Sequence, residues 1–146
     1  MRAQLETRAA EPDLAGAVHF AGHVQPALAA MAAMDMLLLT SRAEGLPNVL
    51  IEAQLLGIPT VASPVGGAVE AIDHGRSGWL FDTADPAACA RVITRLLDDA
   101  PWRAAAARRG PDFVASRFGA ERAISETLAA YGLARAHVQG NTYEHC

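Results

Sequence analysis

The sequence predicts an α/β domain built on a parallel sheet with helices on both faces. Three observations predict it. Short apolar runs alternate with helical stretches along most of the chain, the pattern of repeated strand–helix units. The runs, such as "MLLLT" at residues 36–40, are apolar throughout, as strands covered on both faces are. Helix stops and starts fall between them, with Gly57 and Pro59 after one helix and Asp85–Pro86 opening the next. At 146 residues and 51% hydrophobic, the chain is the size of one domain and can bury a core.

Element by element, residues 2–11 read as a surface helix with Leu5 as its main apolar residue. Residues 17–20 ("AVHF"), followed by Gly22, read as a buried strand. Residues 26–34 form an Ala/Met-rich helix, and 36–40 a second strand buried on both faces. A helix over 47–56 leads to a third strand at 60–63, then to the loop "PVGG" and a short helix at 68–72. "DHGRSG" is a turn before a fourth strand, 79–81. Asp85 caps a helix running to about residue 99, and further helices cover 101–109 and 120–131. This gives one domain over residues 1–132 and a loose tail over 133–146.

Composition excludes several function classes. Net charge is −4 with no basic run, which argues against nucleic acid as a partner. Cys89 and Cys146 make no disulfide framework, and no Cys/His spacing suggests a metal. Cysteine usage points to a reducing compartment. No signal peptide is visible, and no apolar run is long enough to span a bilayer.

In parallel sheets ligands bind beyond the carboxyl ends of the strands. Two loops leave strands at that edge, "SRAEGLPN" (residues 41–48) and "SPVGG" (63–67). Ser41 and Glu44 have capping-box spacing. Gly45 and Pro47 follow at once, so the box is a false match and Glu44 sits in a loop. The helix starts at Pro47, leaving the N–H groups of Asn48, Val49 and Leu50 at the positive end of the helix dipole, which favours a phosphate. Gly45 lets backbone approach a ligand closely. Glu52 lies one turn above Asn48, either as a solvated helix residue or as an acceptor for a ribose diol. Gly66 and Gly67 read either as a tight turn or as close backbone approach to the same ligand. Glu70 and Arg76 receive no role.

Residues 41–81, "SRAEGLPNVLIEAQLLGIPTVASPVGGAVEAIDHGRSGWLF", closely resemble the second domain of retaining glycosyltransferases of the GT-B fold, the family 4-like glycosyl transferases group 1. Glu44 and Glu52 match that family's glutamate–seven residues–glutamate motif. "GIPTVAS", the glycine pair before Glu70 and "HGRSGWL" continue the match. With "VHFAGHV" and the later helices, the likeness covers roughly residues 1–131. The resemblance implies a Rossmann-like sheet in a partial donor-binding domain. It implies transfer of a sugar from a UDP- or GDP-sugar, with retention by same-face attack and with no bound metal or other cofactor. Glu44 then contacts the donor sugar as the catalytic glutamate, and Glu52 binds the ribose. The backbone of Gly45, Leu46, Pro47, Asn48 and Val49 holds sugar and diphosphate, with Gly66 and Gly67 near the donor.

The family's acceptor-binding domain has no counterpart here, nor do the two strands and basic residues that begin its second domain. The expectation is therefore part of a donor domain: a fragment, a truncated product or a mis-assigned start. Its exposed sheet edges would favour self-association, and its place would be the cytoplasm, free or peripheral at the inner membrane face. A non-catalytic nucleotide-sugar-binding or interaction module stands as the alternative.

Overall fold

The structure is a computed structural model describing residues 1–81 and 85–131. It divides into two units, Met1–Ala30 and a second beginning at Met31. In the first, α1 (Arg2–Ala9) buries no residue. Its charges are paired locally, Arg2 with Glu6 at 2.7 Å and Arg8 with both oxygens of Asp13 at 2.7 and 2.8 Å. The expected strand at residues 17–20 is absent: the segment has no strand pairing, and Val18 and Phe20 are exposed. A four-residue apolar run has no stability as a strand without a neighbour to pair with, and this unit contains no other strand. Helix α2 (Ala27–Met31) is shorter than the expected 26–34.

The second unit carries the sheet. Strands β1 (Leu37–Leu39), β2 (Thr60–Ala62) and β3 (Gly78–Leu80) are parallel in the order β1-β2-β3. Leu37 pairs with Thr60 and Thr60 with Gly78, and the register continues through Leu38–Val61–Trp79 and Leu39–Ala62–Leu80. Because side chains alternate along each strand, one face presents Leu37, Leu39, Ala62 and Leu80. It packs against Leu50 and Ala53 of α3 (Asn48–Leu55) and Ala68 and Ala71 of α4 (Ala68–Ala71). The other face presents Val61, Trp79 and Phe81, covered by Cys89, Val92, Ile93 and Leu96 of α5 (Pro86–Asp98). Helices thus lie on both faces, as the apolar runs predict.

Strand β1 is an edge of the sheet, in line with the expected exposed edges, but it is not buried on both faces: Leu38 is 45% exposed. Leu38 lies in a shallow apolar depression of about 310 Å³ with Met34, Met36, Ile93 and Leu97.

The Asp85 cap held as read: its carboxylate accepts the Ala87 N–H at 2.8 Å. Asp99, not singled out in the sequence, caps α6 (Ala100–Phe118) by accepting the Trp102 N–H at 2.9 Å. The expected break near Arg109 does not occur. Helix α6 continues through Pro111, although an interior proline costs a helix about 3 kcal/mol. The continuation seats Gly110 against the backbone of Gln54 in α3, where a Cβ would fall 2.9 Å from the Gln54 carbonyl oxygen. Helix α7 (Ala120–Ala130) buries no residue. The expected tail, 133–146, lies outside the described residues.

Candidate functional site

At the carboxyl edge of the sheet, the loop from β1 to α3 rests on the loop from β2 to α4. The Gly67 N–H donates to the Gly45 carbonyl at 2.6 Å. A Cβ on Gly66 would overlap the Glu44 carbonyl oxygen outright, and one on Gly67 would fall 2.5 Å from the Gly45 oxygen and 2.9 Å from Leu46 Cα. Gly66 also has φ +51°, a region that glycine adopts without strain. The glycine pair is therefore required by contact between the two loops. Gly45 itself has nothing within 4 Å of a Cβ position, so the fold leaves its outer side open.

Glu44 lies in the loop, as expected, and is half-buried there. The Ser41–Glu44 spacing does bring the two side chains together, in another sense than a capping box. The Ser41 hydroxyl donates to Glu44 Oε1 at 2.5 Å, and neither residue caps a helix. Ser63, fully buried at the end of β2, donates its hydroxyl to the Ser41 carbonyl at 2.6 Å.

Pro47 is the N-cap of α3, not its first residue as predicted, with extended backbone at φ −75° and ψ 100°. Of the three donors expected to be free, two remain so. Leu50 N–H is engaged with the Pro47 carbonyl at 3.0 Å. Among the described residues no hydrogen bond occupies the N–H of Asn48 or Val49. These two point out of the helix end at the positive pole of its dipole. Around them Leu46 and Asn48 are exposed, while Pro47 is buried and Val49 packs on the core. Glu52 is exposed, and its carboxylate makes no hydrogen bond or ion pair among the described residues. Glu70 and Arg76 are engaged at the surface, with Arg117 at 3.7 Å and Asp73 at 3.8 Å.

Beneath the site, Gln54 is fully buried and saturated. Its Nε2 donates to the carbonyls of Leu50 at 2.9 Å and Ala71 at 2.6 Å, and its Oε1 accepts the Ser77 hydroxyl at 2.6 Å. It ties α3, which carries Glu52, to α4 and to the following turn. Sequence reasoning singled out neither Gln54 nor Ser63. The available signal was a polar residue on the inward face of an otherwise apolar helix and another closing an apolar strand. Burial raises the Cys89 thiol pKa, which disfavours a reactive thiolate. Among the described residues no cluster of three or more His, Cys, Asp and Glu could hold a metal, and no helix is long and apolar enough to cross a membrane.

A Rossmann-like parallel sheet with paired loops and an open helix end at its carboxyl edge defines a domain of the glycosyltransferase GT-B type. The family model for glycosyl transferases group 1 matches residues 1–99, and the chain belongs to that family. Among curated relatives, it is 32% identical over 128 residues to the Vi polysaccharide biosynthesis protein VipC/TviE of Salmonella typhi, covering 85% of this chain and 22% of that protein. It is 42% identical over 99 residues to D-inositol 3-phosphate glycosyltransferase 1 of Catenulispora acidiphila, covering 68% and 23%. Anabaena HepE, solved with UDP, superposes with a TM-score of 0.79 at 29% identity, covering 88% of this chain and 36% of that one. HepE has also been solved with UDP-glucose. The chain thus spans about a fifth to a third of the length of such relatives.

Proposed function

We infer that the chain is the donor-binding part of a retaining glycosyltransferase using a UDP- or GDP-sugar, acting from the cytoplasm. The observation that carries this reading is the open end of α3. Two unengaged N–H groups stand at a helix dipole, a ready seat for a diphosphate, with Glu44 on the loop before them and Glu52 one turn behind. In this reading Glu44 accepts a hydroxyl of the donor sugar, and Glu52 accepts the ribose diol. The backbone from Gly45 to Val49 lines the sugar and diphosphate, with Gly66 and Gly67 supporting it from below. The HepE complexes with UDP and UDP-glucose favour uridine as the nucleotide.

Chemically, the protein's part is to position donor and acceptor and to stabilise charge on the departing diphosphate. Attack by the acceptor hydroxyl on the face from which the diphosphate leaves, as the anomeric carbon–phosphate oxygen bond breaks and the hydroxyl proton passes to the leaving phosphate, retains configuration without a protein nucleophile. The acceptor belongs to a separate domain, so the 146-residue chain alone binds donor weakly and transfers nothing measurable. The test is calorimetric titration with UDP-glucose. Glu52→Ala is expected to weaken binding by about 1–3 kcal/mol through loss of charge-assisted hydrogen bonds. Unchanged affinity removes Glu52 from the site.

A further inference from the structure

Glu44 differs from Glu52 in being held at both ends. Its backbone is fixed by the glycine pair, since Gly66 comes so close to the Glu44 carbonyl that no Cβ fits between them. Its side chain is fixed by a relay of two serines. Ser63, fully buried where β2 ends, donates to the Ser41 carbonyl at 2.6 Å, and Ser41 donates its own hydroxyl to Glu44 Oε1 at 2.5 Å. That length belongs to hydroxyl–carboxylate bonds, which are shorter and stronger than neutral ones. Glu52 has no such restraint and stands exposed on its helix.

We propose that Ser41 is a positioning residue that occupies one oxygen of Glu44 and leaves the other, Oε2, as the acceptor for a hydroxyl of the donor sugar. The inference rests on the nucleotide-sugar reading of the site and goes further, to which group selects the sugar. Oε2 has no partner among the described residues. A long side chain that is already ordered loses less rotamer freedom when it binds, and a restrained acceptor discriminates between orientations of a hydroxyl better than a free one. With the Ser41 hydroxyl donating to Oε1, the hydrogen-bonding capacity left open on Glu44 lies at Oε2. Recognition of the sugar thus falls to the restrained carboxylate, and the free one, Glu52, adapts to the nucleotide.

The experiment titrates the full chain calorimetrically with UDP, GDP and their glucose and mannose conjugates. The wild type is expected to prefer one conjugate over its free nucleotide. Ser41→Ala should shrink that preference about three- to tenfold while affinity for the free nucleotide stays. Ser41→Thr, which keeps the hydroxyl, should restore it. An unchanged preference in Ser41→Ala, or a parallel loss of nucleotide affinity, overturns the proposal alone. Failure of the wild type to bind any of these six ligands removes the nucleotide-sugar reading and the proposal with it. A second measurement needs no ligand. Side-chain coupling constants by NMR should report one Glu44 rotamer in the wild type and averaging in Ser41→Ala. Averaging already present in the wild type overturns the restraint.

Discussion

Replacing Gly66 by alanine tests whether the two site loops are joined through backbone. The substitution faces two separate obstacles. At φ +51° an alanine sits in the left-handed region at a cost of about 1 kcal/mol relative to glycine. Its Cβ would also overlap the Glu44 carbonyl oxygen, so the loops must part by more than the reach of the 2.6 Å bond between Gly67 N–H and the Gly45 carbonyl. Overpacking of this kind costs about 1–3 kcal/mol. Together these predict a loss of about 2–4 kcal/mol in urea denaturation at constant slope. Gly67→Ala has ordinary backbone, φ −69°, and meets the Gly45 oxygen at 2.5 Å, so it should lose only the overpacking part, about 1–3 kcal/mol. Gly45→Ala meets nothing within 4 Å and should stay within about 0.5 kcal/mol of the wild type. The same Gly45→Ala variant should nonetheless lose nucleotide-sugar affinity, because its new methyl projects where the ligand is proposed to lie. A Gly66→Ala protein as stable as the wild type would refute the reasoning, and so would a graded series in any other order.

Three further outcomes follow from the packing. Thr60 Oγ1 is fully buried without a hydrogen-bond partner, so Thr60→Val should stabilise the fold by about 1–2 kcal/mol; a loss of stability in denaturant would mean that the hydroxyl is satisfied by water. The N–H groups of Ala88 and Ala87, with Arg91, hold the Asp85 carboxyl below its ordinary pKa. A depressed folded-state pKa contributes stability that is present above the unfolded value and lost as pH falls through the folded one. The stability gap between wild type and Asp85→Ala should therefore be full at pH 6 and close from about pH 4 downward; a gap independent of pH contradicts this. Finally, the free edge of β1 and the exposed Leu38 should make the purified chain self-associate. Leu38→Lys should shift it toward monomer in light scattering, and a wild type already monodisperse and monomeric refutes the point.

The elements legible in the sequence were those with local signals. Asp85 and Pro86 announce α5 by their own chemistry, and Gly57, at φ +72°, ends α3 where only glycine is unstrained. Strand β2 was legible because it is central, and every side chain along it is buried. Residues 17–20 carry the same apolar composition, yet a strand is made by its neighbours, and none is present in that unit. The run of α6 through Pro111 was hidden for the converse reason. A break that the local sequence favours is overridden by the packing of Gly110 on Gln54. At the site, the Ser41–Glu44 spacing was visible, but its meaning depended on Pro47 capping α3 and on Ser63 arriving from another strand. Contacts made across strands leave no trace in spacing.

The meeting of the two site loops through Gly45, Gly66 and Gly67 has an evolutionary consequence. The frame is held by main-chain atoms and by the absence of side chains, so it is indifferent to what stands at the neighbouring exposed positions, Leu46 and Asn48. Point substitutions at those two positions change the surface beside the proposed site without moving the backbone proposed to hold the diphosphate. The loop surface is thereby open to change one side chain at a time, while Gly66 and Gly67 are held to glycine by the backbone they touch.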